Sequence, residues 1–166
     1  MEITTAAELL STLKDKHLLI DTSVFIDTSK SPSEFRELIS KLKSNGVVIV
    51  TLDVVKIEFL RGSIDSKSYK DKEELMNDII DSVLPVNHKT IIENLYKLTQ
   101  QMKEDGKSAS IIDLFLGATL MCYKKNLFLL TKNSRDFPTN IFSLSSIINI
   151  SKRRTIQCYG VYNFKG

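Results

Sequence analysis

Four acidic residues stand where an apolar run gives way to a loop or a helix start. Asp21 ends the run "HLLID", and Glu58 lies in "VVKIEFLRG" just after "VVIVTL". Asp113 opens the apolar stretch "SIIDLFLGATL", and Asp136 follows "LFLLT" within "TKNSRDF". Each has a structural reading of its own. Asp21 and Asp136 suit turns, because Asp bonds its own backbone. Asp113 suits a helix first turn, with Ser110 three residues earlier making a box-like cap. Glu58 suits a solvent-facing helix position. Their joint placement argues for more. If the apolar runs are parallel neighbours in one sheet, Asp21 and Asp136 share its carboxyl edge, where open α/β folds place their sites, and Glu58 and Asp113 reach that edge from helix starts. Carboxylates converging without basic partners repel one another and resist ionisation unless a cation sits among them. A divalent metal meets that need. With neither Cys nor His beside these acids in the sequence, an oxygen-only donor set favours Mg2+ or Mn2+ over Zn2+, and Mg2+ completes its shell with water and substrate phosphate. The chemistry indicated is phosphoryl transfer.

The elements that must position these acids alternate along the chain. "AAELLSTLK" predicts a short helix, "HLLID" a strand, "SEFRELISKLKSN" a helix closed by Gly46, and "VVIVTL" a second strand. Both strands are continuous apolar runs without polar alternation, the pattern of parallel strands covered on two faces. "DVVKIEFLRG" predicts a short helix with Asp53 as N-cap and Gly62 as its stop. Two further helical periods follow, "DKEELMNDIIDSVL" broken at Pro85 and "HKTIIENLYKLTQQMKED" closed by Gly106. Within 63–105, Leu75, Ile79 and Ile80, then Ile91, Leu95 and Leu98, are spaced to pack against the chain's own core. "SASIIDLFLGATLMCYKKN" is an apolar helix and "LFLLT" a third buried strand; "IINI" and "TIQCYGVYNF" predict a late hairpin at one sheet edge, turned by "SKRR". This order specifies an α/β fold with a central, mainly parallel sheet, since parallel neighbours need crossover connections.

A length of 166 residues suits one domain, 1–166, large enough to hold a core without staples. No apolar run approaches the roughly 20 residues of a membrane span. The opening "MEITTAAELLSTLKDK" is amphipathic with early acids and does not read as a secretory signal, so a cytoplasmic protein without membrane contact is expected. Cys122 and Cys158 form no C-x-x-C pair and read as reduced, small buried hydrophobes. The net charge of +3 does not compel a polyanionic partner. Basic residues nonetheless gather in the last third, where Lys132, Arg135, Lys152, Arg153 and Arg154 could track a nucleic-acid backbone through phosphate contacts. Arg61 either neutralises Glu58 or contacts substrate.

The segments "LLIDTSVFID", "VVKIEFLRG", "SIIDLFLGATL" and "LFLLTKNSRDF", in this order, resemble the four motifs of PIN-domain ribonucleases, particularly the VapC-like toxins of type II toxin–antitoxin pairs. The resemblance spans residues 17 to about 150. It implies a three-layer α/β/α, Rossmann-like PIN domain in which Asp21, Glu58, Asp113 and Asp136 are the catalytic acids and hold one or two Mg2+ or Mn2+ ions. Ser23, Thr131 and Asn133 match polar positions that orient water or an outer-shell ligand. Asp136 matches the position at which the family varies most. The resemblance further implies RNA cleavage to 5′-phosphate and 3′-hydroxyl ends, an antitoxin partner and a homodimer formed through the helical region. The helical stretch 63–105 and the C-terminal "SKRRTIQCYGVYNF" make this chain longer than a minimal toxin of that family.

The expected reaction is hydrolysis of an RNA phosphodiester by metal-activated water, with Asp21 and Asp113 as central ligands and Glu58 and Asp136 completing the set. Metal-free ribonucleases use histidines as acid and base, but His17 opens the first strand and His88 a distant helix, so they do not converge. Haloacid-dehalogenase-like phosphatases need a second Asp two residues after the first, where this chain has Ser23. No phosphate-cradling glycine motif occurs. The competing reading is a catalytically inactive PIN-like module that binds RNA or protein.

Overall fold

The computed structural model describes residues 3–4, 7–104, 106, 108–152 and 155–166. Strand β1 (Ile3–Thr4) leads to helix α1 (Ala7–Leu13), then β2 (His17–Ile20), α2 (Thr22–Lys30), α3 (Pro32–Ser44) and β3 (Val48–Thr51). Helices α4 (Asp53–Arg61) and α5 (Ser66–Ile79) precede the short β4 (Ser82–Val83). Helices α6 (His88–Glu104) and α7 (Ile111–Tyr123) return the chain to β5 (Leu127–Thr131), and β6 (Phe142–Lys152) and β7 (Thr155–Phe164) end it.

Among the described residues the strands form one sheet in the order β1-β6-β7-β5-β2-β3-β4. The strands β5, β2, β3 and β4 run parallel, as their continuous apolar sequences predict. β7 is antiparallel to β5, β6 to β7, and β1 to β6. The late hairpin therefore does not lie at the edge as predicted: β7 is internal, and β1 pairs with Ile150 and Asn149 on the outer side of β6.

Helices cover both faces, giving three layers. On one side Phe35 of α3 packs edge-on against Tyr159 of β7 with ring centroids 5.5 Å apart. On the other, Gly117 of α7 lies so close to Leu98 of α6 and Phe142 of β6 that an added Cβ would stand 2.6 Å from a Leu98 methyl. The core between the layers includes Leu18, Leu19, Ile20, Ile49, Val50, Leu129 and Leu130, all fully buried. Leu75, Ile79, Ile91 and Leu98 are buried in it, while Ile80 and Leu95 are half-buried. Gly46, at φ +78°, adopts the left-handed backbone that ends α3 and turns the chain into β3.

Two local expectations are corrected and one helix is added. Residues 22–30, where the sequence predicts no element, form α2, whose buried stripe of Val24, Phe25, Asp27 and Thr28 gives it a tertiary face to pack. Asp53 is the first residue of α4 rather than its cap, which is Leu52. Cys158 is exposed, because alternation along β7 places it on the outward side while Tyr159 turns into the core; Cys122 is half-buried and accepts a hydrogen bond from Asn94.

Candidate metal centre

Asp21 follows the last residue of the internal strand β2 and precedes the first turn of α2. Its backbone N–H donates to the Leu130 carbonyl at 3.2 Å, and its own carbonyl accepts from Val24 N–H at 3.1 Å. Two hydroxyls, Ser23 Oγ and Thr131 Oγ1, donate to Asp21 Oδ2, each at 2.6 Å. Thr131 is fully buried and ends β5, the parallel neighbour of β2. Its Oγ1 in turn accepts the Asn133 N–H at 2.9 Å, and Ser23 Oγ accepts the Lys132 N–H at 3.2 Å. Asn133 Nδ2 donates to Asp136 Oδ2. Thr131 and Asn133 thus join Asp21 to Asp136 through one hydrogen-bonded chain, with Ser23 a second donor to Asp21.

Asp113 enters from the start of α7. Ser110 is the N-cap, accepting the Asp113 N–H at 3.1 Å and donating its hydroxyl to Asp113 Oδ2 at 2.5 Å. The helix-cap geometry expected of Ser110 and Asp113 is observed. Burial raises its carboxyl above the ordinary value of 3.8, and the charges of Asp136 and Asp21 push the same way against the opposing Ser110 bond. Asp136 is raised as well, first by burial and then by Asp21, with Asn133 and Arg135 opposing. These three acids therefore feel one another. Glu58 is tied to the cluster differently: the hydroxyl of Thr22, the neighbour of Asp21, donates to Glu58 Oε2.

Asp21, Asp113, Asp136 and Glu58 gather at the carboxyl ends of the parallel strands, as expected from their positions. Yet among the described residues no three acids, histidines or cysteines stand close enough to share one ion. The donor set fits a hard cation held by one or two carboxylates with water and substrate oxygens filling the rest, which is how Mg2+ is ordinarily bound. His17 pairs with Val48 and Leu127 at the opposite end of the sheet, and His88 is exposed at the start of α6.

The basic residues separate. Lys132 Nζ forms a 2.9 Å ion pair with Asp27 Oδ2, so its charge is already matched. Arg135 is exposed beside Asp136. Lys152 closes β6, and Arg153 and Arg154 lie outside the described residues. Arg61 forms no ion pair with Glu58; among the described residues it has no carboxylate partner.

Two polar residues beside these acids carry no motif signal of their own in the sequence. Thr22 was one hydroxyl among several. Asp27, a buried acid of α2, also accepts the Tyr159 hydroxyl at 2.9 Å. Its signal is helical periodicity, since it falls on the buried stripe of α2.

Family models match no part of the sequence, and comparison with curated proteins finds no similar chain. Among solved structures the chain is similar to VapBC-1 from nontypeable Haemophilus influenzae, at 21% identity and a TM-score of 0.58, over 73% of this chain and 90% of that one. The fold is that of a VapC-like PIN domain. Among the described residues no helix is long and apolar enough to cross a membrane.

Proposed function

We propose that this chain is a metal-dependent endoribonuclease that hydrolyses RNA phosphodiesters, acting as the toxin of a toxin–antitoxin pair in the cytoplasm. The observation that carries this reading is the approach of Asp21, Asp113 and Asp136 to one sheet edge from three separate elements, each carboxylate oriented by its own hydroxyl or amide donors. Asp113 and Asp136, raised first by burial and then by neighbouring acids, are poised to take up a cation. The fold shared with VapBC-1 supports the same reading.

Asp21 and Asp113 would hold Mg2+ or Mn2+, with Glu58 and Asp136 beside them. When bound, the metal would lower the pKa of a water and offset charge on the phosphate. Thr131 and Ser23 both bond Asp21 Oδ2 and fix its rotamer, leaving Oδ1 outside those two bonds. Asn133 does the same for Asp136. Ser110 anchors Asp113. Orienting bonds of this kind keep a ligand set in place before substrate arrives. Arg135, Lys152, Arg153 and Arg154 would guide the RNA backbone, and Lys132 does so less because Asp27 holds it.

The test is incubation of labelled single-stranded RNA with Mn2+, with Mg2+ and with chelator, beside Asp21→Asn. Cleavage by the wild type in metal alone, leaving 5′-phosphate ends, is the expected result. RNA binding without cleavage under every condition would favour the inactive module. Copurification of a co-expressed antitoxin, and sedimentation at micromolar concentration, test the partner and the homodimer.

A further inference from the structure

Between α4 and the start of α7 lies an open cavity of about 340 Å3, lined by Ile57, Glu58, Arg61, Ser110 and Ile111 among others. Its size falls within the range of roughly 300–1,000 Å3 that small-molecule sites occupy. Glu58 and Arg61 are three residues apart on α4 and so lie on one helix face. Ile57 and Ile111 are 64% and 60% exposed and give the cavity an apolar wall.

The hydrogen bonds explain why Arg61 is available. Glu58 is committed to Thr22 rather than to Arg61, and Lys132 is committed to Asp27. Arg61 is therefore a cation without a carboxylate partner among the described residues, one helical turn from the acid cluster. A strand approaching those acids meets repulsion that a nearby guanidinium relieves, and guanidinium groups bind phosphate through paired donors. We propose that this cavity receives the nucleotide next to the cleaved phosphodiester of single-stranded RNA, Arg61 holding its phosphate while Ile57 and Ile111 flank its base. The assignment rests on the nuclease reading for what is cleaved, but not for what is bound. It also chooses between the two roles the sequence left to Arg61.

Binding is measured separately from cleavage. Fluorescence anisotropy of a labelled single-stranded RNA in Mn2+ compares Asp21→Asn protein with the same protein carrying Arg61→Gln. A loss of affinity of about tenfold is expected, the size of one charge-assisted contact. The slope of log affinity against log salt should shrink by about 1, as for one lost phosphate contact. Arg61→Lys should recover the slope but not all of the affinity. Ile57→Ala with Ile111→Ala should weaken binding without changing the slope. In protein that keeps Asp21, Arg61→Gln alone should raise KM and leave kcat, the mark of lost uniform binding. Unchanged RNA affinity and slope in Arg61→Gln would overturn the proposal. So would a change in sedimentation with RNA binding intact, which would give the cavity to a second copy of the chain. If wild type binds RNA through Arg61 yet never cleaves it, the nuclease reading fails and the subsite stands.

Discussion

Thr131 Oγ1 donates a 2.6 Å hydrogen bond to Asp21 Oδ2 across two parallel strands that are 110 residues apart in the chain. The register that pairs Ile20 with Leu130 sets these two residues side by side where both strands end. Because Thr131 is fully buried, the hydroxyl has no competing water, and it relays the bond onward by accepting the Asn133 N–H. One buried oxygen thus aligns Asp21 and holds the loop that carries Asp136.

Thr131→Val keeps the shape and removes that oxygen. Asp21 loses a donor, and the Asn133 N–H loses its acceptor. An unsatisfied buried group costs about 1–3 kcal/mol, and outer-shell changes of this kind lower activity by about 10–100-fold. A thermal melt and a Mn2+-dependent cleavage rate should both fall. A melt unchanged from wild type would show that the bond does not hold the edge together.

The acids set the pH dependence of the metal-free protein. Asp113 and Asp136 have folded-state pKa values raised above the ordinary carboxylate value. Their favourable contribution is therefore fully present below the unfolded carboxylate range and lost as pH rises through the raised values. Asp113→Asn lacks that ionisation. In chelator it should match wild type at acid pH and melt higher than wild type above the carboxylate range. Added Mn2+ should narrow or invert the gap, since a cation favours the ionised form. An Asp113→Asn protein that melts below wild type at neutral pH in chelator would contradict the repulsion.

Metal should stabilise the wild type measurably. At about 100 times its dissociation constant a ligand adds about 2.7 kcal/mol, or about 5–10 °C in Tm for a chain of this size. Asp21→Asn should abolish most of the shift. Zn2+ should produce less of it, given a donor set of oxygens.

Much of this was legible in the sequence, for reasons tied to particular residues. "HLLI", "VVIVT" and "LFLLT" lack polar alternation, so their burial on both faces could be read directly, and with it the shared end of Asp21 and Asp136. Ser110 and Asp113 had capping spacing. What escaped was set by distant packing. Helix α2 is short and rich in Thr and Ser, which favour turns locally; its place is fixed by Phe25 against Phe59 and by buried Asp27. The two-residue strands β1 and β4 carry no periodic signal and exist only through their partners. The position of β7 beside β5 rests on pairing at Leu129, Leu130 and Thr131, which no local pattern encodes.

Asp27 shows how a charge hidden from local pattern can still be tested. Its Oδ2 accepts both the Lys132 ammonium and the Tyr159 hydroxyl, each at 2.9 Å, joining α2, the loop after β5, and β7. Burial, and after it the bond and charge of Asp27, push the Tyr159 hydroxyl well above its ordinary range, so it stays a donor at any working pH. Lys132→Met leaves a buried carboxylate with one neutral donor. Breaking a buried pair costs about 3–5 kcal/mol, and the exposed half of Lys132 places this case at or below the lower figure. Adding Asp27→Asn should return part of that loss, because the double mutant no longer strands a charge. Tyr159→Phe should cost about 1–2 kcal/mol and leave the Lys132 pair in place. If Lys132→Met instead melts like wild type while its RNA affinity drops as far as that of Arg61→Gln, Lys132 is a backbone contact after all and the clamp is not what holds the loop.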